Sequence, residues 1–140
     1  MNVDAIRDGM VIDHITPGNG MKLYHLLGLE KLDAPVALMF RVNSRKMGRK
    51  DIMKIDSDIP MDLELISYVD PGATVNIIRN GCLVEKRQMS LPERLVNVTR
   101  CINPRCISAT EQELDQVFCL KNADTREYRC LYCETRAVDV

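Results

Sequence analysis

"RCINPRC" (residues 100–106) and "RCLYC" (129–133) decide how the second half of this 140-residue chain is read. They hold four of its six cysteines: Cys101 and Cys106 with four residues between them, and Cys130 and Cys133 with two. The pairs stand 23 residues apart. Each pair can present two sulfurs from one tight turn, and two such turns close a tetrahedron around Zn2+. Pro104 helps turn the first knuckle. A Cys-x-x-Cys pair also serves redox centres and disulfides. The redox reading fails on context, because "YRCLYCETR" (128–136) follows no βαβ unit and opens no helix that would lower a thiol pKa. Four thiolates fill the coordination shell of zinc and leave no position for water, and no His-Glu pair stands nearby to run hydrolysis. One structural Zn2+ per chain is expected. A region of roughly 45 residues rarely buries enough apolar surface to fold without such a staple. Cys82 and Cys119 have no close partner and read as small buried apolar residues.

Outside the cysteines, the charges nearly cancel: 19 Lys+Arg against 20 Asp+Glu, a formal net charge of -1. Residues 1–89 carry 12 basic and 12 acidic side chains, and residues 90–140 carry 7 and 8. A general nucleic-acid binder should be more basic, and metal-bound thiolates make the second half more acidic still. The first residues, "MNVDAIRDGMVIDHI", include acids early and no long apolar core, so no signal peptide is expected. No run approaches the ~18 apolar residues of a membrane span. A cytoplasmic location follows as the expectation, in a compartment where thiols stay reduced.

The first half alternates strand and helix patterns. "MVIDHI" (10–15) reads as a strand with Val11, Asp13 and Ile15 on one face and Ile12 and His14 on the other. "MKLYHLLG" is helical, with Leu23, Leu26 and Leu27 on its apolar side and Gly28 as the stop. "PVALMFRV" (35–42) and "RKDIMKI" (49–55) are strands around the turn "NSRKMG". Asp58 is the expected N-cap of a helix through "MDLELISYV", with Pro60 in its first turn and Asp70-Pro71-Gly72 ending it. "ATVNII" (73–78) is a strand, and Asn80-Gly81 signals a hairpin into "CLVEK". "SLPERL" (90–95) has capping-box spacing and reads as a short helical connector. The order is that of a split βαβ motif. The expected class is α+β: a ferredoxin-like βαββαβ sandwich over residues 1–90, then a small zinc-bound, rubredoxin-like β domain over 91–140. RNA-binding modules share the first architecture, but their stacking aromatics are missing from these strands.

One stretch breaks the charge balance. Arg41, Arg45, Lys46, Arg49, Lys50 and Lys54 face the single acid Asp51. Strand periodicity puts Lys50 and Lys54 on one face about 13 Å apart, with Met53 and Ile55 turned the other way. Two readings stand: a solvated sheet face, or a grip on one polyphosphate ligand. His14 carries the same choice between a structural and a functional role, and His25 reads as structural.

The combination of "VIDHI", "MGRKDIMKI", "ATVN", "SLPERL.NV" and the four-cysteine frame followed by Glu134 resembles the regulatory chains of aspartate carbamoyltransferase, over essentially the whole length. The resemblance implies a non-catalytic allosteric subunit of pyrimidine biosynthesis. It would bind nucleoside triphosphates, with CTP inhibitory and ATP antagonistic. It would form a homodimer through the first domain and dock on the catalytic chains through the zinc domain. Carried over by motif, Asp4, Ala5 and Ile6 approach the base with Val11 nearby. Asp13 and His14 face ribose and phosphate, Lys54 and Asn76 sugar and phosphate, Lys50 a second nucleotide position, and Lys86 the triphosphate. Asn103, Arg105 and Glu134 are the implied partner contacts beside the metal. Two readings compete: a structural bridging subunit with a vestigial effector site, and a free zinc-ribbon nucleic-acid-binding protein.

Overall fold

The computed structural model describes residues 6–138. The chain divides into two compact units, the first ending at Ser90 and the second starting at Leu91. In the first, strands β1 (Gly9–Ile15), β2 (Val36–Ser44), β3 (Gly48–Ile55), β4 (Thr74–Arg79) and β5 (Cys82–Gln88) alternate with helices α1 (Asn19–Leu26) and α2 (Leu63–Val69). The sheet runs β2-β3-β1-β4-β5, every neighbouring pair antiparallel. The core holds Ile12, Ile15, Met53, Ile55 and Val75 from the sheet with Leu23 and Ile66 from the helices, all at 0% exposure. β3 alternates strictly: Asp51, Met53 and Ile55 are buried, while Lys50, Ile52 and Lys54 are half-buried on the opposite face. Asn80 and Gly81, at φ 52° and 75°, make the two-residue turn between β4 and β5. Two left-handed central residues match the twist of the flanking strands.

A buried acid organises this unit. Asp51, fully buried, accepts the Gly18 and Gly20 N–H groups at Oδ2 (3.1 and 3.2 Å) and the Arg41 N–H at Oδ1 (3.0 Å). The first two are orphan donors at the start of α1, which has no side-chain cap of its own, so Asp51 caps it from another strand. Gly20 permits that approach, since a Cβ there would stand 2.8 Å from Asp51 Oδ2. Both neighbours of β3 bulge beside Asp51: β2 between Met39 and Val42, with Arg41 at φ 55°, and β1 between Ile12 and Ile15, with His14 at φ 56°. Asp70, also buried, accepts the Thr16 N–H (2.6 Å) and Asn19 Nδ2 (3.3 Å), so the loop before α1 hangs between two carboxylates.

The bulge in β1 corrects the expected two-faced alternation. The extra residue at Asp13-His14 turns Ile15 back to the core beside Ile12. The N-cap of α2 is Asp62, whose carboxylate accepts the Leu65 N–H at 3.1 Å, and not Asp58. Pro60 lies in the loop before it.

The second unit is a three-stranded antiparallel sheet, β6 (Arg94–Val96), β7 (Val117–Asn122) and β8 (Glu127–Cys130), with one turn of helix α3 (Ile107–Thr110). "SLPERL" is not helical: its end is β6, because fully buried Leu95 pairs opposite Phe118 and that packing overrides a local capping pattern. The core is Leu95, Phe118 and Tyr128, with the Tyr128 hydroxyl donating to the Pro92 carbonyl at 2.7 Å. Cys82 is exposed on edge strand β5 and Cys119 half-buried on β7, which corrects the reading of both as core residues.

Asp51→Asn should destabilise the first unit by about 2–3 kcal/mol, because one of the two acceptor oxygens becomes a donor facing buried N–H groups. Hydrogen exchange of the intact chain reads this out, with the second unit as internal control. Unchanged protection of the Gly18, Gly20 and Arg41 amides would rule out this role.

Candidate metal centre and effector face

The Cys101, Cys106, Cys130 and Cys133 Sγ atoms all lie within 4.8 Å of one another. Cys101–Cys133 is 3.5 Å and Cys106–Cys130 is 3.7 Å. Zinc–thiolate bonds of about 2.3 Å in a tetrahedron put ligand sulfurs about 3.8 Å apart, so the donor set fits the ion. Bound Zn2+ would offset half of the thiolate charge, leaving the centre anionic, and tie the two knuckles together.

Ordinary peptide chemistry builds the cage. The Cys106 N–H donates to the Asn103 carbonyl (3.1 Å) and the Arg105 N–H to Asn103 Oδ1 (3.0 Å), closing the first turn. In the second, the Glu134 N–H donates to the Cys130 carbonyl (2.9 Å), with Glu134 at φ 63°. Gln116 joins the first knuckle to β7: its Oε1 accepts the Cys101 N–H (3.0 Å) and its Nε2 donates to the Ser108 carbonyl (2.8 Å). The Ser108 hydroxyl lies 3.0 Å from Cys106 Sγ and the Thr135 hydroxyl 3.1 Å from Cys133 Sγ. Sequence reading missed these three residues. A signal existed for two of them, since a hydroxyl follows at the second position after both Cys106 and Cys133. Burial, opposed by the Asn103 N–H, pushes Cys101 up to about 12, whereas Thr135 brings Cys133 down to about 6. A shared divalent cation removes that inequality by drawing every ligand to its thiolate.

Asn103 is half-buried within its knuckle, and Arg105 and Glu134 are exposed beside the metal. Ile102, Ile107, Leu131 and Tyr132, close to them in sequence, are exposed as well.

On the helix-free face of the first unit, strand register sets four residues in one row. Lys54 on β3 is opposite Val11 on β1, Val11 is opposite Asn76 on β4, and Asn76 is opposite Lys86 on β5. Asp13, at the β1 bulge, accepts the Lys50 ammonium at 2.9 Å and the His14 N–H at 2.6 Å. Among the described residues, His14 Nδ1 and Asn76 Oδ1 are buried with no hydrogen-bond partner. Ile6 is itself buried, and Asp4 and Ala5 lie outside the described residues. His25 is exposed on α1, 3.8 Å from Glu30.

Partial burial pushes the Asp13 carboxyl up, but hydrogen bonds from Lys50 and the His14 N–H, with the nearby positive charges, outweigh it and leave the group below 3.8. The pair therefore contributes stability above that value, which is lost as pH falls through the lower folded value. A carboxylate titration by NMR should place Asp13 below 3.8 in the wild type and higher in Lys50→Met, where burial is opposed by the His14 partner alone. An Asp13 midpoint indifferent to that change would dismiss the ion pair.

The metal centre carries its own test. The intact chain should hold one zinc, and Cys130→Ser should melt β6–β8 while β1–β5 stay protected from exchange, because metal binding and folding of so small a core are one equilibrium. A metal-free second unit that stayed ordered would contradict it.

Known proteins match the chain over both units. The family model for the aspartate carbamoyltransferase regulatory chain, allosteric domain, matches residues 1–90, and that for its metal binding domain matches residues 93–138. The regulatory chain from Clostridium botulinum is 40% identical over 134 residues, 96% of this chain and 92% of the relative. The one from Bifidobacterium longum is 39% identical over 137 residues, 98% and 99% of the two chains. That of Clostridium tetani is 40% identical over 135 residues, 96% and 94%. The chain belongs to the family of aspartate carbamoyltransferase regulatory chains, with an allosteric domain and a four-cysteine metal-binding domain.

Proposed function

We propose that the helix-free face of the first unit binds nucleoside triphosphates, CTP as inhibitor and ATP as its antagonist, and that their occupancy is transmitted to catalytic chains docked on the metal unit. The observation that carries the effector reading is the row Lys54–Val11–Asn76–Lys86. Its two lysines stand three strand spacings apart, about 14 Å, so their flexible stems can converge on one polyphosphate from both sides. Between them Val11 and Asn76 offer an apolar contact and a hydrogen-bonding amide. The orphaned His14 Nδ1 and Asn76 Oδ1 support the same reading, since buried polar atoms without partners are costly unless a ligand completes them. Lys50, already paired with Asp13, serves the edge of the site, and Ile6, with Asp4 and Ala5, the base end.

The metal unit serves assembly. Asn103, Arg105 and Glu134 would contact the catalytic chain, backed by the exposed apolar side chains around the knuckles. Two first units would join as the regulatory dimer. Inhibition then requires that CTP bind the low-activity assembly more tightly than the high-activity one, with a coupling of about 1–3 kcal/mol.

Replacing Lys54 or Lys86 with Ala should weaken CTP by about 1.5–3 kcal/mol while scarcely altering cytidine. Zinc content and assembly should be unchanged. Calorimetric titration of both ligands separates the outcomes. Equal losses would mean that the lysines only shape the pocket, and no CTP binding by the wild type, alone or assembled, would leave a bridging subunit with a vestigial site.

A further inference from the structure

We infer that metal enters and leaves the second unit across the Cys101–Cys133 edge of the cluster, which is also where a thiol-directed electrophile attacks first. The four sulfurs form two opposite edges that share no atom. Cys106 and Cys130 are each 2% exposed, while Cys101 and Cys133 are both partly open to solvent. Cys101 also lines a cleft of about 570 Å³, together with Asn97, Arg100, Ser108, Gln112 and Gln116. The cleft gives a chelator or a competing soft cation room to reach a sulfur while the metal is still held by the others.

Backbone anchoring divides the sulfurs the same way. Cys106 is the N-cap of the one-turn helix α3, and its carbonyl accepts the Ala109 N–H at 2.9 Å. Cys130 ends β8, in register with Phe118, which is 1% exposed. Cys101 and Cys133 neither cap a helix nor end a strand. The Cys101 N–H is held by a side chain, Gln116, whose release needs no regular element to break. Local opening therefore costs less at this edge than at the other, and both accessibility and mobility select the same two ligands.

The reaction that reports this is addition of N-ethylmaleimide. The sulfur–zinc bond breaks, a sulfur–carbon bond forms at the alkene, and the adjacent carbon takes a proton from water. The freed Zn2+ passes to a chromogenic chelator in solution. The zinc-loaded full chain, its metal content measured beforehand, is treated with substoichiometric reagent and mapped by peptide mass spectrometry. Exposed Cys82 provides an unhindered reference thiol, and Cys82→Ser frees the reagent for the cluster. Among cluster ligands, first adducts should fall on Cys101 and Cys133 about tenfold faster than on Cys106 and Cys130. Zinc release should keep step with those first adducts. Labels spread evenly over all four ligands would mean that the unit opens as a whole, and labels arriving first on Cys106 or Cys130 would reverse the assignment. Zinc fully retained after both Cys101 and Cys133 have reacted would also overturn it.

Discussion

The carboxylate of Asp51 is the constraint on which the first unit is built. Buried under the start of α1, it must be given donors, and three backbone N–H groups supply them. Supplying them bends the chain on both sides. Strand β2 bulges to turn the Arg41 N–H inward, and Gly20 leaves the α1 backbone space to approach. On its other flank β1 bulges at Asp13-His14, which sets Ile15 opposite Asp51 and keeps it in the core. The strands that enclose the acid also shape the opposite face. Strict alternation along β3 sends Lys50 and Lys54 away from Asp51, and the β1 bulge holds Asp13 against Lys50.

The second unit answers a different shortage. Its three strands enclose Leu95, Phe118 and Tyr128, a core too small to offset the entropy of ordering some fifty residues. Zinc is the missing element, and the chain prepares for it with two turns, hydroxyls beside two sulfurs, and an amide that bolts the first turn to β7. Four ligands also forbid catalysis at the ion, because no position is left for a water or substrate. The metal would contribute rigidity at a surface with exposed apolar side chains, which on the proposed reading is the contact with the catalytic chain.

What could be read from the sequence followed from periodicity and spacing. The cysteine frame named all four ligands, and Asn80-Gly81 named its turn, because both are local signals with little competition. Asp51 was invisible in its true role: as one acid among six cations it resembled a counter-charge, and only the tertiary approach of α1 turns it into a cap. The bulge at His14 was hidden for a related reason, since one inserted residue leaves no mark on composition yet reverses every later facing. "SLPERL" shows local preference losing to packing, where Leu95 gains more by pairing opposite Phe118 than the segment gains from a capped turn. Asp62 displaced Asp58 as the cap because the helix begins after the proline loop, and two acids four residues apart look equivalent on paper.

On the proposed effector reading, the Asp13–Lys50 pair becomes the point where ligand charge meets protein charge. Side chains that are mostly buried leave this pair less screened than a surface bridge, so its geometry responds to a nearby anion. A polyphosphate drawn to Lys54 and Lys86 competes with the Asp13 carboxylate for Lys50 and is repelled by that carboxylate. The His14 N–H is bonded to the same carboxylate, so any displacement of Asp13 moves the bulge of β1 and with it the strand that links both neighbours in the sheet. One charge-assisted hydrogen bond made or lost there is of the same order as the 1–3 kcal/mol typical of allosteric coupling. Ligand occupancy therefore needs no long lever to be felt in the sheet: a change in one buried ion pair, at a strand already bent to accommodate Asp51, is large enough.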